Sequence, residues 1–325
     1  MPDDPLALAV RANIELRQGH PEAAARRLKP IVNSVAPDKV IAVYALSLFE
    51  IGRQEEAIAM LTKRVEAEAK AFHSRLALAR MYRQLGKRPF ADKLYSQSVD
   101  EFPNDTILMV EWLETRYEMG QRLVVRESLN RLADHTKNFD ILLSAARINI
   151  DFGDYVVAKK QLAAAEEIRG LSPGIVVEKA RMALAVGQFD EAIQQLLAIA
   201  DAVSEDAAVQ LLLLEAYIGA KNAAGQVNVG KTLAKKFRGS YAQAMSRGLT
   251  DLSKGRNREA RNAFERAIKV GGETLSALQK ADTLALMAQT VRNEDPETAK
   301  TLLRQALLLD VMNPGANFVS GNIAF

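Results

Sequence analysis

Glycine returns along this chain at a fixed interval. Gly19, Gly52, Gly86, Gly120, Gly153, Gly187 and Gly255 are separated by 33, 34, 34, 33, 34 and 68 residues, the last being two periods of 34. A repeat of this size constrains the fold more than any other feature. Each unit is one supersecondary element that cannot bury its apolar face alone, so units must stack. The 325 residues would otherwise suggest about two globular domains.

The residues around each glycine keep a register. Seven positions before it stand Ala12, Ala45, Ala79, Ala146, Ala180 and Gly248, with Leu113 the exception. Five positions after it stand Ala24, Ala57, Ala91, Ala158, Ala192 and Ala260, with Val125 the exception. Nine after it comes a large residue: Leu28, Leu61, Tyr95, Leu129, Leu162, Leu196 or Phe264. Apolar spacings of three and four, as in Leu76, Ala79, Tyr82 and Leu85 and again in Ala91, Leu94, Tyr95 and Val99, are helical. The glycine ends a first helix, where a left-handed residue is cheapest without a β-carbon. A second helix returns antiparallel. Small residues on both let the axes approach, and the large residue fills the gap toward the next unit. Asp4-Pro5, Ser172-Pro173 and Asp295-Pro296 each pair a capping residue with proline at the first helical position.

This register resembles the tetratricopeptide repeat family, in its period, its paired small residues, its turn glycine and a terminal proline such as Pro103 or Pro314. The resemblance covers essentially the whole chain. It implies an all-α, right-handed superhelical solenoid of about nine antiparallel helix pairs over residues 1–309. The units fall near 4–35, 37–69, 71–103, 105–136, 138–170, 172–203, 205–238, 240–271 and 273–309. An irregular tail, 310–325, follows, with Phe318, Ile323 and Phe325 expected to fold back over the last pair. The seventh unit lacks a clear alanine register. The ninth has a longer first helix and a turn at Arg292-Asn293-Glu294, then resumes with Ala299, Leu303 and Ala306. No polar capping helix precedes the first unit, so the chain is expected either to be cut from a longer protein or to pack its amino end on something.

Composition excludes several functions. Apolar residues make up 48%, charged residues 26% and aromatics 6%, a folded composition. The formal charge of +3 argues neither for nor against nucleic acid, and no nucleic-acid partner is expected. Without cysteine, disulfides and thiol chemistry are excluded. There is no apolar run long enough for a membrane helix and no leader pattern. The expected compartment is the cytoplasm, or the periplasm for a chain excised from a secreted or anchored protein.

One motif points to chemistry. Gly225-Gln-Val-Asn-Val-Gly230-Lys231-Thr232 fits the phosphate-cradling loop of nucleotide-binding proteins, which requires a strand before it and a helix after it. The preceding residues are in phase with helical repeats instead. Val229, Leu233 and Phe237 are four apart, so the match reads as a coincidence in a degenerate unit, and a nucleotide binder is the remote alternative. His20, His73 and His135 share no ligand spacing. No catalytic residue, metal or cofactor is expected.

In the resembled family the first helices of the pairs line a concave groove. Six residues before the glycines stand Asn13, Leu46, Arg80, Glu114, Arg147 and Arg181; three before stand Leu16, Phe49, Arg83, Tyr117, Ile150 and Leu184. The expected partner-binding residues are therefore Phe49, Arg80, Arg83, Tyr117, Arg147 and Arg181, which would receive an acidic segment through arginine's planar fork. The competing reading has these arginines bridging Glu114, Glu118 and Asp151 within the chain. The family's clamp for carboxyl-terminal peptides is absent from the first units: Ala9 stands where its lysine would, and the second unit offers Tyr44, Ala45 and Leu46 with no asparagine. The expected function is a non-catalytic protein-binding scaffold; the alternative is the repeat portion of a larger bacterial envelope assembly or export machine for polysaccharide or pilus.

Overall fold

The computed structural model describes residues 4–33, 35–68 and 70–323. Among them there is no strand. The helices are α1 (Pro5–Arg17), α2 (Pro21–Leu28), α3 (Asp38–Glu50), α4 (Gln54–Ala67), α5 (Phe72–Gln84), α6 (Arg88–Glu101), α7 (Thr106–Glu118), α8 (Arg122–Ala133), α9 (Phe139–Asp151) and α10 (Tyr155–Arg169). They continue with α11 (Pro173–Ala185), α12 (Phe189–Ala198), the single turn α13 (Ala200–Val203), α14 (Ala207–Gly219), α15 (Ala223–Lys236), α16 (Tyr241–Ser253), α17 (Asn257–Gly271), α18 (Ala277–Val291), α19 (Pro296–Leu309) and α20 (Pro314–Ile323). This is an all-α helical-repeat solenoid of antiparallel pairs.

The register explains the packing. The repeat glycines all have positive φ, from +71° at Gly255 to +87° at Gly52. In each turn the glycine amide bonds back three residues and the next amide five, as in Gly86 N to Arg83 O (3.0 Å) and Lys87 N to Tyr82 O (2.8 Å). That closes the orphaned carbonyls of the first helix. The seventh unit uses the same turn without glycine. Lys221, at φ +54°, bonds to Ile218 O and Asn222 to Tyr217 O. The alanines on either side of the turn are fully buried: Ala12, Ala24, Ala45, Ala57, Ala79, Ala91, Ala146, Ala158, Ala180, Ala192 and Ala260. So are Leu28, Leu61, Tyr95 and Phe264, each contributing about 1.5–3 kcal/mol by burial. Where the small residue is Gly248, a β-carbon would lie 2.3 Å from the Phe264 ring; the missing methyl admits the phenyl group.

The chain divides into two compact units, Met1–Thr115 and Arg116–Phe325, with the boundary inside α7. The first has a core that spans α1 to α5, around Val40, Leu48, Leu61 and Met81. On its α1, Leu6, Val10 and Ile14 are about half exposed along one face. In the second unit successive cores run from Leu142 and Leu162 through Leu196 and Leu214 to Phe264 and Leu303. That unit closes on itself. Arg122 at the start of α8 donates to Asp310 at the end of α19 (3.1 Å), and a β-carbon on Gly120 would lie 2.1 Å from the Leu309 carbonyl oxygen.

The segment expected to be an irregular tail contains α20. Asn313 caps it by accepting from Ala316 N (2.8 Å), Pro314 fills its first turn, and Ala316 and Val319 are buried against α18 and α19. Three-residue apolar spacing over so short a segment is a weak signal beside flanking glycines and asparagines. Phe318 does not cover the last pair: it is 69% exposed. Phe325 and the Ile323 side chain lie outside what is described.

Candidate functional site

The residues expected to face a partner are mostly engaged within the chain. Phe49 is buried among the α3 core residues. Its ring is consumed by packing, so it is withdrawn as a surface contact. Three residues before the glycine is a position that points inward in this unit. Arg80 on α5 pairs with Glu111 on α7 through two bonds of 2.8 and 2.5 Å, and Tyr95 donates to the same carboxylate (3.0 Å). Arg83 donates to Glu114 (3.1 Å). In the second unit, Tyr117 on α7 donates to Asp151 and accepts from Arg122 (3.3 Å). Burial, then the adjacent Asp151 carboxylate, pushes its phenol well above the ordinary tyrosine range. Arg147 on α9 donates to Glu178 on α11 (2.8 Å), and Arg181 stands 3.2 Å from the same carboxylate without hydrogen-bond alignment. Glu178 is itself 1% exposed. An acidic segment would have to compete with these carboxylates.

The offset of these pairs is constant. Arg80–Glu111, Arg83–Glu114 and Arg147–Glu178 are each separated by 31 residues, one period less a helical turn, which joins first helices of adjacent units.

The Gly225–Thr232 match is helix. Gly225, Gly230, Lys231 and Thr232 all lie in α15, where Thr232 donates to the Asn228 carbonyl (3.1 Å). A β-carbon on Gly225 would meet the Tyr217 ring at 2.3 Å, so that glycine makes room for an aromatic side chain. Amides committed to a helix cannot wrap a phosphate, and the nucleotide reading is withdrawn. Among the described residues no cluster of His, Asp and Glu could hold a metal, and no helix is long and apolar enough to cross a membrane.

The structure reveals a recess that the sequence reading missed. In the second unit, first helices of successive pairs, α11, α14, α16 and α18, together with α20, surround a space of about 530 Å³. Its polar lining includes Arg181, Glu215, Tyr241 and Asp282; Leu211, Leu249 and Phe318 supply apolar walls. Solvent reaches Glu215, but protein crowds it on its other sides. That desolvation pushes its carboxyl up to about 7, against the pull of Arg181 and with the help of Asp282. Asp282 is also raised, by burial first, although it accepts from Asn313 (2.6 Å) and feels Arg122. Tyr241 bonds with Thr283 (3.1 Å), and burial lifts its phenol to about 12. A space of this size falls within the range of about 300–1,000 Å³ typical of ligand clefts.

No protein-family model matches this chain, and no curated protein does. Solved structures do. A tetratricopeptide repeat protein from Parabacteroides merdae aligns over 88% of this chain and 98% of its own at 14% identity and a TM-score of 0.42. The Cut9–Hcn1 hetero-tetramer of the APC/C aligns over 94% of this chain and 66% of the matched one at 13% identity and a TM-score of 0.59. The human IFIT1 dimer with PPP-AAAA aligns over 92% and 81% at 16% identity and a TM-score of 0.58. Together with the glycine turns and the alanine register, the likenesses to Cut9–Hcn1 and IFIT1 show a tetratricopeptide-repeat-like fold.

Proposed function

We propose that this chain is a non-catalytic scaffold that binds a segment of a partner protein in the recess of its second unit. The observation that carries the reading is the convergence of first helices from successive repeats, with α20, on one space of about 530 Å³ that mixes apolar walls with polar groups. Repeat stacks present long surfaces of this kind to partners. The experiment is affinity capture from the source organism with the intact chain and two variants. Gln289→Trp places bulk at an exposed position lining the recess, and Val156→Glu changes an exposed position on α10. Capture of the same proteins by the parent chain and Val156→Glu, with loss in Gln289→Trp, supports the reading. Equal capture by both variants removes it.

A further inference from the structure

The recess carries a charge imbalance that selects its occupant. On its α11 side, Arg181 stands 3.2 Å from the Glu178 carboxylate, which also receives Arg147 from α9. Facing them are two more carboxylates, Glu215 on α14 and Asp282 on α18. Asp282 accepts a hydrogen bond from Asn313, which is neutral. Glu215 has no hydrogen-bond or ion-pair partner among the described residues. The 31-residue offset that supplies partners elsewhere gives it none, because position 184 holds leucine. Across the recess stand Tyr241, a hydroxyl rather than a cation, and beyond Asp282 the Arg122 guanidinium, which is already bound to Asp151 and Asp310. Among the residues that line the recess, the two carboxylates Glu215 and Asp282 therefore outnumber the single arginine, Arg181, by one. Both carboxylates are exposed at the recess, so this excess is open to a cationic ligand. Beside the carboxylates lie Leu211, Leu249 and the exposed Phe318 ring.

We infer that the recess receives a cationic side chain, arginine or lysine, of a partner segment, with Glu215 and Asp282 taking the charge and Leu211, Leu249 and Phe318 holding apolar neighbours from the same segment. The inference rests on the recess reading above and reverses the acidic segment expected from the arginines. Arginine is the better fit, because its fork can bridge two carboxylates and its stem can lie on Leu249 and Phe318. Glu215 gives the interaction a pH signature. Its carboxyl ionises near neutrality while facing Arg181, Tyr241 and Asp282, so a cation displaces its proton, and binding strengthens as pH rises through that range.

The test measures binding of synthetic peptides to the full chain by calorimetry. The peptides are alternating leucine and serine carrying two central arginines, two glutamines or two glutamates; spermidine is a fourth probe. Expected at pH 8 is at least tenfold tighter binding of the arginine peptide than of the glutamine peptide, with the gap narrowing by pH 5.5. Glu215→Gln, an isosteric change at an exposed position, should remove most of both the gap and its pH dependence. Equal or tighter binding of the glutamine or glutamate peptide, abolished by Gln289→Trp, overturns the cation assignment and leaves the recess reading standing. Spermidine binding as tightly as the arginine peptide overturns the assignment to a protein segment. No binding by any peptide overturns the inference, and the capture experiment then decides the recess reading separately.

Discussion

Arg122→Met tests what closes the second unit. The guanidinium is 8% exposed and reaches Asp151 (3.0 Å) and Asp310 (3.1 Å), the latter 1% exposed. It also takes the Tyr117 hydroxyl (3.3 Å) and lies over the Phe152 ring at 5.9 Å. Methionine keeps most of the packed stem, so the loss isolates charge and hydrogen bonding from cavity formation. Removing one partner of a buried ion pair costs about 3–5 kcal/mol, because the other charge stays buried. The Nε of Arg122 is already without an acceptor, which places the expected loss near about 3 kcal/mol. The pH dependence has a definite sign. Burial holds the Asp310 carboxyl above its ordinary value, with Arg122 opposing. A raised carboxyl favours the folded state at low pH and loses that contribution as pH rises through the folded value. Removing Arg122 raises the carboxyl further, so the variant is most destabilised above neutrality and recovers on acidification. Stacked repeats can open in part. The assay is therefore urea unfolding by circular dichroism at pH 5 and 7.5, combined with hydrogen exchange of 117–122 and 296–323. Adding Asp310→Asn should restore much of the loss, since the stranded charge is gone. A loss below about 1 kcal/mol at pH 7.5, no pH dependence, or no recovery in the double variant would refute the argument.

The other predictions concern the turns. Gly153→Ala and Gly120→Ala both force alanine into a left-handed conformation, at φ +74° and +84°, for about 1–2 kcal/mol. Only Gly120 meets the Leu309 carbonyl, so its loss should exceed that of Gly153 by about 1–3 kcal/mol; equal melting shifts would show that the contact is absent in solution. Lys221→Gly relieves a left-handed lysine at φ +54° and should stabilise by about 1 kcal/mol, a gain that a lower melting temperature would disprove.

Much of the fold is written in the period. A glycine with positive φ every repeat, an alanine on each side of it and a large residue beyond are local requirements of close helix packing, and each leaves its own mark on the sequence. The seventh unit hid its turn because the backbone hydrogen bonds at Ile218 and Tyr217 are made by amides whatever the side chain. A lysine can occupy the place at a modest cost, and nothing in its residue type announces it. Gly225 is ambiguous for the opposite reason. A glycine required by the Tyr217 ring looks the same in sequence as one required by a phosphate. The closure between Arg122 and Asp310 spans 188 residues and follows from the accumulated rotation of the intervening pairs, a quantity no single unit encodes.

The charges on the first helices were half legible, and the half that was missed decides what the surface can bind. Periodicity identified Arg80, Arg83, Arg147 and Arg181 as a set, but a position says nothing about neutralisation. The second number needed was 31, the offset that brings one first helix's arginine to the next first helix's acid. Applied to the sequence, it pairs Arg80 with Glu111, Arg83 with Glu114 and Arg147 with Glu178. It gives Arg181 only Leu212 and leaves Glu215 facing Leu184. The structure follows this pattern: the first three arginines are bound to those acids, Arg181 turns back to Glu178, and Glu215 opens onto the recess. The offset leaves Arg181 and Glu215 both without partners, but Arg181 turns back to Glu178 while Glu215 stays unpaired among the described residues, exposed at the recess. That is why the binding chemistry is sought at Glu215 and Asp282 and not at the arginines.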